Sequence, residues 1–296
     1  MAGFLGNTTS FSLFEAPVPQ RMDFADAARA LPFSGAVTPE GKRMGWVGLG
    51  NAVDTDFSFG IDHGRFVALS LRVDSRKASG AALKLQLAEA VQAELAQGKK
   101  VSGKRKKELK EAITAKLLSR AEWTPALTDC LWDLENGRLL VAASPKAALP
   151  LLAQFKATFG VDAQAFAAGA ALPSFFARLS REDVTLNGWE LSCAGSATLA
   201  TSAQTEDKGA VAVQNCDSSI ASAPTEGLTI QKLAMTVVPT DNPDASLSFS
   251  LDTSMMVSGL KLPRAEKGAD ADSDFLLKAD TCARTTDLAL LIDGLA

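Results

Sequence analysis

Seven cations crowd into one short stretch of this chain: Lys99, Lys100, Lys104, Arg105, Lys106, Lys107 and Lys110, all within "GKKVSGKRKKELKEAITAKLLSRAEW". Residue types of this kind at this density neutralise polyanions, above all the phosphates of nucleic acid. The chain as a whole carries a formal net charge of -4, yet Arg76–Arg120 holds 12 Lys/Arg against 4 Asp/Glu, a local +8. The remainder carries -12, and from Phe166 onward the count is 9 basic against 17 acidic. At cellular salt the Debye length is roughly 8 Å, so a distant acidic region hardly cancels a basic arm. A solvated helix face is the bland alternative. Against it, Lys104, Arg105, Lys106 and Lys107 fall in the first turn of a helix, at the positive end of its dipole, where cations cost stability. Lys104 and Lys107 also point away from the apolar stripe led by Leu109. No aromatic motif of the kind that stacks RNA bases accompanies them, so phosphate contact is the expected mode.

Other chemistries find less support. "VGLGNAV" from Val47 has two of the glycines of a dinucleotide fingerprint, but Val53 stands where the third belongs, and loop glycines are the better reading. "DADSD" (Asp270, Asp272, Asp274) resembles the start of a calcium loop, but Phe275 and Thr281 occupy the positions that require Gly and Glu, leaving a solvated acidic turn. His63 is the one histidine and sits in an expected turn, which argues against a histidine metal site. Cysteines at 130, 193, 216 and 282 form no C-x-x-C pair, so four reduced, mostly buried thiols in a cytoplasm are expected. The N-terminal "MAGFLGNTTSFSLFEAP" lacks the pattern of a secretory signal, and no apolar run reaches membrane-spanning length. Neither a catalytic function, a cofactor nor a metal is expected.

The elements that must hold the basic stretch are legible by period. "DFSFGIDHGRFVALSLRVD" alternates at Phe57, Phe59 and Ile61, turns at Asp62-His63-Gly64, and alternates again from Val67 to Val73. "CLWDLENGRLLVAAS" carries Asn136-Gly137, the pair suited to a two-residue type I′ hairpin. Between these hairpins Leu83, Leu87, Val91 and Leu95 make one helix stripe, Gly98 a C-terminal cap, Ser102 an N-cap, and Leu109, Ala112, Ile113 and Leu117 a second stripe. "PKAALPLLAQFKATFG" reads as a Pro-interrupted helix, "WELSCAGSATLATSA" and "ASLSFSLDT" as strands, and "TDLALLIDGLA" as a terminal helix. "TSAQTEDKGA" and "VPTDNPDA" read as loops.

Along most of its length the chain resembles the RdgC family of bacterial recombination-associated DNA-binding proteins. The likeness runs through "LPF", "MGWV", "KKELKEAI", "LLSRA" and "LWDLENGRLLVAAS", with later echoes in "IQKLAM", "DSDFLLKAD" and "LIDGL". It implies a horseshoe-shaped α+β subunit, with a central body (1–75 and 124–165), a basic helical tip arm (76–123) and a C-terminal base region (166–296). Two such subunits would close into a ring around double-stranded DNA without sequence preference, limiting access of the RecA recombinase, in a cytoplasmic, nucleoid-associated setting and without a membrane. The tip contact would involve Leu118, Glu122 and Trp123. Two departures from the family pattern bear on this: Glu122 replaces the tip aromatic of "LLPRAF"-type sequences, and the segment around "GAVAVQNCD" has no Lys or Arg after Lys208. The alternative expectation is an assembly protein of the same fold with little DNA affinity.

Overall fold

A computed structural model describes residues 3–38, 41–166, 171–201, 211–214, 228–266 and 268–294. The chain divides into two units, the first comprising 1–32, 46–71 and 128–296, the second 33–45 and 72–127. The described residues form a mixed fold with one large sheet and six α-helices. In chain order the elements are β1 Thr8–Glu15, α1 Phe24–Ala30, β2 Arg43–Val47, β3 Asp62–His63, β4 Phe66–Ser75, α2 Gly80–Ala96, α3 Gly103–Arg120, β5 Thr124–Asp133 and β6 Arg138–Val141. There follow α4 Pro145–Phe159, β7 Gln164–Ala165, α5 Ala171–Leu179, β8 Val184–Leu186, β9 Trp189–Thr201, β10 Val211–Gln214, β11 Leu228–Pro239, β12 Leu247–Asp252, β13 Met256–Lys261 and α6 Ala271–Asp293. The strand order is β10-β9-β11-β12-β13-β1-β6-β5-β4-β2, with β3 on β4, β7 on β1 and β8 on β9.

In the first unit the sheet is apolar on both faces, and the register shows how. Leu13 pairs with Leu140, which pairs with Leu131, while one step along Phe14 pairs with Leu139, which pairs with Trp132. Successive side chains of a strand point to opposite faces, so the two trios lie on opposite sides. The leucine trio joins a core with Phe11, Phe176 and Phe275. On the other side Trp132 meets Phe155 at 4.9 Å, Phe24 at 5.2 Å and Phe159 at 5.5 Å between ring centroids. Its indole N–H donates to the Ala16 carbonyl at 2.9 Å, so the polar edge is satisfied in the core. Each such side chain contributes about 1.5–3 kcal/mol on full burial.

Several expectations need correction. Asp56–Ile61 is not a strand: Asp54 accepts from the Ser58 amide at 2.9 Å, Phe57 takes φ +56, and this local turn chemistry overrides the alternation. The β5–β6 hairpin exists, but Asp133 pairs with Arg138 across a four-residue loop, not a two-residue turn. The Asp133 carboxylate builds that loop by accepting from the Glu135 amide (3.1 Å) and the Asn136 side chain (3.0 Å), and only Gly137 has positive φ. "DADSD" is a helix start rather than a solvated turn. Asp270 caps α6 through the Ser273 amide (2.7 Å), Asp272 meets His63 Nδ1 (2.7 Å), and Asp274 pairs with Lys278 (2.6 Å). The terminal helix accordingly starts at Ala271, well before "TDLALLIDGLA". The start of "VPTDNPDA" belongs to β11, which runs to Pro239. Cys193 is disulfide-bonded, against the expectation of four reduced thiols, whereas Cys130 and Cys282 are free and buried. The "TSAQTEDKGA" loop reading falls at 201–210, of which only Thr201 is described, as the last residue of β9.

Candidate nucleic-acid interface

The second unit carries a formal charge of +8 and the first -12, from 15 Lys/Arg each against 7 and 27 Asp/Glu. Within it α2 and α3 form a helical hairpin. Ser79 caps α2 through the Ala82 amide (3.4 Å), and Gly98, at φ +74, takes the left-handed conformation that ends it. Ser102 caps α3 through the Arg105 amide at 3.2 Å. Leu83, Leu87 and Val91 of α2 and Leu109, Ile113 and Leu117 of α3 are half-buried, and neither helix has a fully buried residue. Leu95, expected on the stripe, is 56% exposed.

All seven predicted contact residues lie on this hairpin and all are exposed. Their chemistry is not uniform. Arg105 donates to Glu94 through Nη2 (2.6 Å) and Nε (2.9 Å), and to Glu108 through Nη1 (3.1 Å). Those bonds, with Glu94 the larger partner, raise the Arg105 pKa further and hold the Glu94 carboxyl below its ordinary value. Arg105 therefore ties the first turn of α3 to the last turn of α2 rather than offering a free guanidinium. The sequence contained the signal: Arg105 stands four residues before Leu109 and eight before Ile113, on the face that meets α2. Lys107 lies 4.0 Å from Glu111, a loose, exposed pair. Lys99, Lys100, Lys104, Lys106 and Lys110 make no ion pair among the described residues. The first turn of α3 holds no acidic residue, so Lys104 and Lys106 stand uncompensated at the positive helix end.

Beside the hairpin's chain ends lies a group that the sequence did not reveal. Trp123, half-buried just before β5, has the Arg43 guanidinium carbon 4.2 Å and the Arg76 guanidinium carbon 4.1 Å from its ring centroid. Leu118 and Trp123 line one cavity with Arg76 and Lys42, while Glu122 is exposed to solvent. Arg43 comes from β2, Arg76 follows β4, and Trp123 precedes β5, so the cluster is assembled by strand ends far apart in sequence. Of the C-terminal segment lacking basic residues, only β10 is described.

Among the described residues no group of three or more His, Cys, Asp or Glu is placed to hold a metal ion. His63 packs against Phe275, with ring centroids 4.7 Å apart, and bonds Asp272, a structural role at the start of α6. No helix among the described residues is long and apolar enough to cross a membrane. No curated protein matches the chain. A family model described as "Putative exonuclease, RdgC" matches residues 4–296, essentially the whole length, and the chain belongs to the RdgC family.

Proposed function

We propose that this chain is a sequence-nonspecific double-stranded DNA-binding protein, acting as a homodimer that closes into a ring and limits RecA access during homologous recombination at the nucleoid. The observation that carries the reading is the set of exposed lysines on α3 and its preceding loop, five of them without an ion pair among the described residues. Lys99, Lys100, Lys104, Lys106 and Lys110 contact phosphates, Lys107 joins them after leaving Glu111, and Arg105 positions the hairpin. Leu118 and Glu122 belong to the contact between subunits at the tip, with Trp123 beneath them. Binding is non-catalytic: a 5′-labelled duplex incubated with the protein and Mg²⁺ stays at full length. Progressive shortening, abolished by a chelator, would instead support the nuclease that the family model's description names. The direct test of the main reading is binding to linear and closed-circular duplex over a salt series, with a steep fall in affinity and no sequence preference expected.

The -12 charge of the first unit favours a second reading, an assembly protein of this fold with little DNA affinity. Salt-independent or undetectable DNA binding by a self-associating protein would select it.

A further inference from the structure

The Trp123 cluster brings two guanidiniums against one ring. Two guanidiniums that both lie within 4.2 Å of one ring centroid are at most 8.3 Å apart. Like charges so close repel, and neither Arg43 nor Arg76 has a carboxylate within ion-pair distance among the described residues. The Nε atoms of both arginines are buried and lack a hydrogen-bond partner. A buried donor left unmade is costly unless something fills its place. Next to them opens a cavity of about 480 Å³ lined by Lys42, Arg76, Trp123, Ser75 and Ser119, all within the second unit. That volume falls in the roughly 300–1,000 Å³ range of clefts that hold small ligands.

We infer that this cavity is a phosphate-binding site, in which Arg76 and Lys42 supply charge, Arg43 reinforces it from beside the Trp123 ring, and the Ser75 hydroxyl completes the donor set, the Ser119 hydroxyl being engaged with the Lys116 carbonyl (2.9 Å). Beside the apolar Val37, Ala115 and Leu118, the polar part of the lining holds cations and hydroxyls but no carboxylate, which selects an oxyanion over a cation. A guanidinium held over an indole by a cation–π contact is restricted in its motion before a ligand arrives, and its terminal N–H groups can still bond a tetrahedral oxyanion. The two guanidiniums occupy the ring of Trp123, so the site recognises phosphate and not a base. The phosphate is either a bridging phosphodiester of duplex DNA or a terminal or free phosphate. The first source rests on the DNA-binding reading above; the second does not.

The experiment follows Trp123 emission as the difference between wild type and Trp123→Phe, because the chain has three other tryptophans. Inorganic phosphate, a 5′-phosphorylated duplex, the same duplex with 5′-hydroxyl ends, and closed-circular duplex are titrated in turn. Saturable quenching or enhancement by inorganic phosphate is expected. Arg76→Gln should weaken it by about tenfold or more, the loss of a charge-assisted pair. Ser119→Asp places in the cavity a carboxylate that competes with the ligand for Arg76 and Lys42, and should abolish the response with far-UV circular dichroism unchanged. A closed-circular duplex that competes with inorganic phosphate assigns the site to the DNA backbone. Competition only by 5′-phosphorylated ends assigns it to terminal phosphate. A phosphate response in a protein that binds no duplex keeps the site and sinks the DNA reading. No response to any of the four probes overturns the inference, as does a response that Arg76→Gln and Ser119→Asp leave unaltered.

Discussion

Replacing Lys104, Lys106, Lys107 and Lys110 by Gln isolates the cations that the hairpin does not use for its own cohesion. Each phosphate neutralised contributes about -0.9 to the slope of log K against log[salt]. Under the proposed function, with about six phosphates contacted across a dimer, wild-type affinity should fall about 10³-fold between 50 and 200 mM salt. If these lysines make about two of the three contacts on each arm, about four of the six are lost, the slope flattens by about 3.6 and the fall shrinks to about tenfold. Fluorescence anisotropy of a labelled 30-mer duplex across that salt range reads the slope directly, with a second duplex of unrelated sequence as control. The fold should survive, because all four side chains are exposed. Removing Lys104 and Lys106 from the positive end of α3 relieves an unfavourable interaction of about 0.3–1 kcal/mol per charge, so thermal stability holds or rises slightly. Arg105→Gln is the informative contrast: it unties α3 from Glu94 and lowers hairpin stability with little change in slope. A quadruple variant that keeps the wild-type slope refutes the assignment of these lysines to phosphates. A fully flattened slope in Arg105→Gln alone would show that the guanidinium exchanges Glu94 for DNA.

Glu122→Phe removes an exposed charge and, if the proposed subunit contact forms there, should strengthen self-association, seen by light scattering across dilution; an unchanged dissociation midpoint would place Glu122 outside any interface. Asp133→Asn leaves Arg65, bonded to Asp133 at 2.7 Å, without its buried partner and should cost about 3 kcal/mol by urea denaturation. Burial pushes the Asp133 carboxyl up, but Arg65, Asn136 and the Glu135 amide together hold it below its ordinary value. Its contribution is therefore present above the unfolded pKa of about 3.9 and lost as pH falls through the lower folded value, so acid unfolding of the variant should begin from a flatter baseline below about pH 4. Leu131→Ala should destabilise by about 2–5 kcal/mol, since Leu131 is fully buried between β6 and the helices of the core. Under denaturing alkylation without reductant, Cys130 and Cys282 should label while Cys193 labels only after reduction; labelling of Cys193 in the first step would contradict its disulfide.

Periodicity located the helical hairpin because its signals are local. Leu83, Leu87 and Val91 repeat at helical spacing, Gly98 supplies the positive φ, and Ser102 caps the next helix, all within two dozen residues. Asp56–Ile61 misled for the same reason in reverse: its Phe alternation is local too, but the Asp54 carboxylate captures the Ser58 amide and bends the chain before a strand can form. The role of Arg105 is legible in its spacing, four residues before Leu109, rather than in its charge. The Trp123 cluster was not readable at all. Arg43 and Trp123 are 80 positions apart, and only the pairing of sheet strands brings them together. No pattern within either segment encodes that meeting.

The placement of charge in this protein separates two jobs that the sequence runs together. Arg105 is a rigid, forked donor, and it is spent within the hairpin on two carboxylates. The lysines around it are flexible point charges, and five of the six make no internal pair among the described residues. A fork suits fixed geometry, whereas a mobile ammonium suits a phosphate row whose phase along the duplex is not specified. The sequence-nonspecific binding proposed for this chain needs the second kind of contact and a scaffold held by the first. Changing all of the α3 lysines to Arg is therefore a sharper test than removing them. It preserves charge and should preserve the salt slope, but adds guanidiniums that compete with Arg105 for Glu94 and Glu108. Unchanged slope with reduced hairpin protection in hydrogen exchange is the expected result. A variant with both properties unaltered would show that the division of labour between Arg and Lys carries no weight here.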